Sequence, residues 1–213
     1  MKKIGILGSG IVGQTLGSGF IKHGYQVMIG TRDIGKLMDW ATAEGEHAHI
    51  GSFEEVAEFA DTIVLACKGT AAETVIELAG PRNFAGKTIL DATNPIADAP
   101  PEDGVLHFFT NQNESLMEIL QSKYPDGHFV KAFNSVSYLR MVNPDFETKP
   151  TMFICGNNEN AKKEATEILD QFGWETEDFG LVTSARGIEA LCMLYCTIGF
   201  RDNRWTHAYK LLT

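Results

Sequence analysis

The chain has 213 residues, 44% hydrophobic and 22% charged, with a formal net charge of -10. That charge argues against nucleic-acid backbones and anionic membrane surfaces as main partners, so an anionic ligand would need a local basic pocket. The length suits one medium core with a small appendage, and no stretch is apolar for the roughly 18 residues of a membrane span.

Residues 1–8 start basic and turn apolar but break at a glycine cluster without a small-residue cleavage site, so they read as a buried first strand, not a signal peptide. After the apolar run 4–7, residues 11–22 carry Ile11, Val12, Leu16, Phe20 and Ile21 at helical spacing. Gly24 closes that helix, and residues 25–29 follow as a second strand. The alternation continues with a helix over 34–43, a strand over 47–50, a helix over 53–59 and a buried strand over 62–67. A helix over 70–78, a strand over 88–91, irregular chain around Pro95 and Pro100, a helix over 114–124 and a strand over 128–132 come next. A strand over 152–155, a helix over 159–172, a strand over 175–179 and a largely helical tail over 185–212, interrupted near 201–204, complete the chain. The pattern predicts an α/β, Rossmann-type, doubly wound and mainly parallel sheet over residues 1–180, with a helical C-terminal extension over 181–213.

Gly8-Ser9-Gly10-Ile11-Val12-Gly13 has dinucleotide spacing. Gly8 permits the tight turn, Gly10 lets backbone approach a pyrophosphate, and Gly13 lets helix and strand pack closely. The helix start then offers unpaired amides and a positive dipole end. NAD-selective domains place an acidic residue about 20 residues onward to bind ribose hydroxyls. Here that place reads Gly30-Thr31-Arg32-Asp33, and a hydroxyl followed by a guanidinium suits a 2′-phosphate. Lys36 adds a cation on the same face, so Thr31, Arg32 and Lys36 point to NADP(H); in the opposing reading Arg32 is solvated and Asp33 reaches the ribose. Lys68 and Asn94, at the ends of later strands, are further coenzyme-contact candidates, and Asn134 and Ser135 should end a strand near the hydride acceptor.

No catalytic acid or base stands out: the six histidines are scattered, and no metal-ligand or nucleophile motif occurs. Hydride transfer between two cofactors needs only positioned rings, which makes that absence intelligible. Cys67, Cys155, Cys192 and Cys196 lie in apolar stretches, as reduced thiols of a cytoplasmic protein would, and the pair Cys192 and Cys196 reads as core packing.

Taken together, residues 3–10, Gly30-Thr31-Arg32-Asp33, Asp91-Ala92-Thr93-Asn94-Pro95, Lys131-Ala132-Phe133-Asn134-Ser135 and the tail segment 186–191 resemble the NADPH-dependent coenzyme F420 reductase family. They are also similar to the cytoplasmic domain of the STEAP metalloreductases. The resemblance implies hydride transfer between NADP(H) and the deazaflavin F420, with Ser9, Ile11 and Val12 in the loop and Thr31, Arg32 and Lys36 at the 2′-phosphate. Segments 137–146 and 192–205 depart from the archaeal members, and these are the regions expected to meet the acceptor. The acceptor is accordingly expected to be F420 or a flavin such as FMN or FAD, with a homodimer covering the cleft. The tail aromatics Tyr195, Phe200, Trp205 and Tyr209 would stack on such a ring, meet a second subunit or simply pack. Arg186 and Glu189, on one helical face, would pair or reach the cleft. Two rivals stand beside this expectation: a dehydrogenase or imine reductase using Lys68 or Lys131 as proton donor, and a non-enzymatic NADP(H) sensor.

Overall fold

A computed structural model describes residues 1–212, and its centre is one eight-stranded sheet. The chain first lays down β1 (Lys3–Leu7), α1 (Ile11–Lys22), β2 (Gln26–Gly30), α2 (Met38–Glu44) and β3 (Ala48–Gly51). It then adds α3 (Phe53–Phe59), β4 (Thr62–Leu65), α4 (Ala72–Ala79), β5 (Thr88–Asp91), α5 (Leu116–Lys123) and β6 (His128–Lys131). The last elements are β7 (Thr151–Gly156), α6 (Glu159–Gln171), β8 (Glu175–Asp178) and α7 (Ala185–Asp202). The strand order is β3-β2-β1-β4-β5-β6-β7-β8. Neighbours are parallel except at β6 and β7, so β7 and β8 run against the other six.

Both faces of this sheet are covered, which explains why its strands read as continuous apolar runs. Successive strand residues feed opposite cores: Ile4, Ile6, Val64 and Leu90 pack on one face, Leu7, Ile63, Leu65 and Ile89 on the other. Local signals fix several helix starts. Ser52 with Glu55 and Ser115 with Glu118 form capping boxes at α3 and α5, and the Asn158 side chain caps α6.

The expected helix over 34–43 is two pieces, a 3-10 turn Ile34–Leu37 started by the Asp33 side chain and then α2. The interruption expected near 201–204 is present, but the helix expected beyond it is not. Helix α7 stops at Asn203, which adopts a left-handed conformation (φ 48°), and the chain beyond it is irregular. That segment returns to the sheet, where Thr151 N–H donates to the Tyr209 carbonyl at 2.9 Å. A polar residue that tolerates positive φ ended the helix where no glycine marked the stop.

Candidate functional site

The strand order reverses between β1 and β4, which opens a crevice at their carboxyl ends. The glycine loop after β1 lies on one side of it and Cys67-Lys68 after β4 on the other. Each glycine has its own reason. A Cβ on Gly8, whose φ is +143°, would stand 2.3 Å from the Ala66 carbonyl oxygen, and one on Gly13 would stand 1.9 Å from the Gly8 oxygen. Gly10 differs, because its absent Cβ faces open space with nothing within 4 Å. No side chain caps α1 at Gly10, so the helix presents bare amides there.

These residues line a cleft of about 500 Å³ that gathers Gly8 to Val12, Thr31, Arg32, Lys36 and Lys68. Gly13 sits buried behind the loop as its spacer. Thr31 is buried; its hydroxyl lies 3.2 Å from Ser9 Oγ and accepts from Asp33 N–H at 3.0 Å, tying the two loops together. An Asp33 carboxylate oxygen is committed to Gly35 N–H at 3.1 Å, as the cap of the 3-10 turn. Arg32 and Lys36 are exposed on the cleft rim, which leaves their charges free for an anion.

Past Lys68 the cleft continues over Ala92, Thr93 and Asn94. It then reaches a chamber of about 480 Å³ that shares Val12 with the glycine-loop cleft. Asn94, Asn134, Tyr138, Tyr195 and Trp205 are among the chamber walls. Asn94 thus stands between the two compartments, where its Nδ2 donates to the Asn134 carbonyl at 2.8 Å. The Asn134 amide donates to Asn94 Oδ1 (3.1 Å) and to the Ile188 carbonyl (2.9 Å), while its own Oδ1 is buried without a partner. Phe133 just before it is buried with a left-handed φ of 63°, a strained conformation that turns the chain after β6. Neither the orphaned oxygen nor the turn had a sequence signal.

Lys68 sits on the cleft wall with its side chain 80% exposed, 3.3 Å from Asp98. Lys131 lies elsewhere. Its ammonium is wholly buried, 2.7 Å from Asp91 and 2.8 Å from Glu189, and it also donates to the Thr93 carbonyl. Burial alone would lower its pKa; the Asp91 and Glu189 carboxylates outweigh that and hold it above the ordinary lysine range. Walled in and firmly protonated, Lys131 is a structural cation and not an accessible proton donor. Glu189 also accepts from the Leu116 and Met117 amides at 2.9 and 3.1 Å, binding α7 to the start of α5. Arg186 pairs instead with Glu118, so the expected ion pair between Arg186 and Glu189 does not form.

The tail aromatics divide. Tyr195 stacks on His207 with centroids 4.0 Å apart and donates its hydroxyl to the Trp205 carbonyl, while Trp205 meets Phe200 edge-on. Tyr195 and Trp205 also line the chamber, whereas Tyr209 donates its hydroxyl to the Leu191 carbonyl.

A glycine loop at a sheet's switch point, with a basic strand tip beside it, defines the class: a dinucleotide-binding fold of Rossmann type. Comparison with known proteins gives the particulars. Residues 3–95 match the family described as NADP oxidoreductase, coenzyme F420-dependent. The chain is 28% identical to metalloreductase STEAP3 of Rattus norvegicus over 189 residues, 89% of this chain and 36% of that protein. It therefore spans about a third of the curated relatives it matches. A crystal structure from Arthrobacter sp. FB24, provisionally assigned as an F420-dependent NADP-reductase, is 28% identical with a TM-score of 0.91, covering 100% of both chains. The NADPH complex of an Aspergillus terreus reductive aminase shares the fold, at 17% identity and a TM-score of 0.69 over 95% of this chain and 62% of that one. The resemblance read from the residues, to the F420-dependent reductases and to the STEAP domain, therefore holds. Among the described residues no helix is long and apolar enough to cross a membrane.

Proposed function

We propose that the chain binds NADPH in the glycine-loop cleft and reduces a planar acceptor in the adjoining chamber, the deazaflavin F420 first and FMN or FAD next. The observation that carries this reading is the continuity of the two compartments across Val12 and Asn94. The residues fit the coenzyme: open space at Gly10 admits a pyrophosphate against the bare amides of α1, and Ser9, Ile11 and Val12 complete the loop. Thr31, Arg32 and Lys36 hold the 2′-phosphate, with Lys68 as an added cation and Asn94 at the nicotinamide ribose. Bound NADPH supplies a hydride. The chain supplies position and dryness: Tyr195 and Trp205 offer flat apolar walls beside Asn94 and Asn134.

The missing acid–base pair agrees with this reading, since Lys131 is withdrawn into the core. A homodimer covering the cleft belongs to the same proposal, and exposed Leu181, Leu194 and Phe200 at and along α7 supply apolar surface for it. NADPH oxidation measured side by side with F420, FMN, FAD and ferric chelates is the test. Saturable turnover with a deazaflavin or flavin is expected, and none with any of them overturns the reading. Sedimentation as a monomer at micromolar concentration overturns the dimer alone.

A further inference from the structure

We propose that Cys192 and Cys196 form a hydroperoxide-sensitive dithiol in the wall of the chamber, which oxidation closes into an intrahelical disulfide. Their sulfurs are 4.0 Å apart, one turn apart on α7, and both line the chamber. Cys192 is buried, in keeping with the packing role expected of it, while Cys196 is only half-buried. Four residues of helix rise about 6 Å, within the roughly 4.4–6.8 Å over which Cα atoms are bridged. The sulfurs lie about 2 Å beyond bonding distance, and because Cβ atoms four residues apart on a helix stand about 5–6 Å apart against the roughly 3.5–4.5 Å of a disulfide, closing the bond must distort that turn of α7.

The two thiols are unequal. Cys196 is the less buried of the two, so an oxidant reaches it first, and its contact with Cys192 holds its thiol below the ordinary pKa, which makes Cys196 the nucleophile and Cys192 the resolving partner. Cys196 sulfur attacks one peroxide oxygen, the O–O bond breaks, and the leaving alkoxide takes the Cys196 proton to become an alcohol, or water when the oxidant is hydrogen peroxide. Cys192 sulfur then attacks the Cys196 sulfenic acid, the S–O bond breaks, and hydroxide leaves as water with the Cys192 proton. Two electrons pass from the sulfurs to the peroxide, and a dithiol reductant reverses the change by exchange.

Cys67 and Cys155 serve as internal controls, because burial above all pushes each thiol up to about 12. The folded full chain is treated with one equivalent of hydrogen peroxide, alkylated and digested with trypsin, which releases residues 187–201 as one peptide. The expected peptide is lighter by two hydrogens, carries no alkyl group and regains both thiols with dithiothreitol. Free thiols at both positions, or Cys196 oxidised to sulfinic acid beside an alkylated Cys192, overturn the proposal. In Cys192→Ser, dimedone should label Cys196; no labelling overturns the assigned roles. One consequence rests on the function proposed above: the oxidised protein should lose acceptor turnover while keeping its NADPH affinity. Unchanged turnover after complete disulfide formation overturns that consequence, whereas a reduced protein inactive with every acceptor refutes the function and leaves the chemistry of the pair standing.

Discussion

The coenzyme end of the cleft and the acceptor chamber are built in opposite ways. The first draws on Gly8 to Gly13 and Thr31 to Lys36, two short segments placed by adjacent parallel strands. The second draws on Asn94, Asn134, Tyr138, Tyr195 and Trp205, which come from separate parts of the chain and meet only when α7 and the segment after it fold back on the sheet. A binding site written in consecutive residues shows its chemistry through spacing. One assembled from distant segments does not.

The Lys131, Asp91 and Glu189 cluster is buried apart from both, and breaking it should have the largest effect. Lys131→Met leaves two carboxylates buried without their cation, which costs about 3–5 kcal/mol and should appear as a large drop in urea midpoint. A loss within experimental error would mean that the cluster is solvated. The pH dependence has a definite sign. Because the folded pKa is raised, this contribution is fully present below the unfolded lysine value of about 10.4 and disappears only as pH rises through the higher folded value.

Arg32→Ala sharpens the coenzyme side of the comparison. A charge-assisted hydrogen bond is worth about 1.5–3 kcal/mol, so NADPH binding should weaken by about 10- to 100-fold while NADH binding barely changes. Equal losses for both coenzymes would remove Arg32 from the 2′-phosphate. For the chamber side, Trp205→Leu keeps apolar bulk but removes the stacking face. Ring stacking contributes about 0.5–1.5 kcal/mol, so the KM for a flavin-type acceptor should rise by up to about tenfold with NADPH affinity unaltered. A matching loss in NADPH affinity would erase the distinction between the compartments.

Physical reasons explain what was legible. The parallel core was readable because continuous apolar runs such as Ile63-Val64-Leu65 have few alternatives to a doubly covered strand. The glycine loop was readable because its backbone demands are local. Lys131 in a strand gave no sign of burial, since its counter-charges lie 40 and 58 residues away in sequence. The left-handed turn at Phe133 was hidden for a related reason, because an ordinary residue adopts a conformation there that tertiary packing holds in place.

The smallest expected effect decides the remaining rival. Lys68 is the one lysine on the cleft wall of the two once considered as proton donors, so a dehydrogenase or imine reductase must assign it that role. Its partner Asp98 is 68% exposed, and such a surface pair contributes roughly 0–1 kcal/mol. Lys68→Met should therefore leave the urea midpoint in place and cost at most about fivefold in NADPH affinity through a lost cation. Under the proposed function, turnover at saturating coenzyme should persist, because that reading places the acceptor ring beside Asn94 and Asn134 and asks no proton of Lys68. Proton donation in a transition state contributes about 10²–10⁴-fold, so a kcat loss of that size with unchanged NADPH affinity would make Lys68 a general acid. That result would replace a chamber that works by position with one that works by proton transfer.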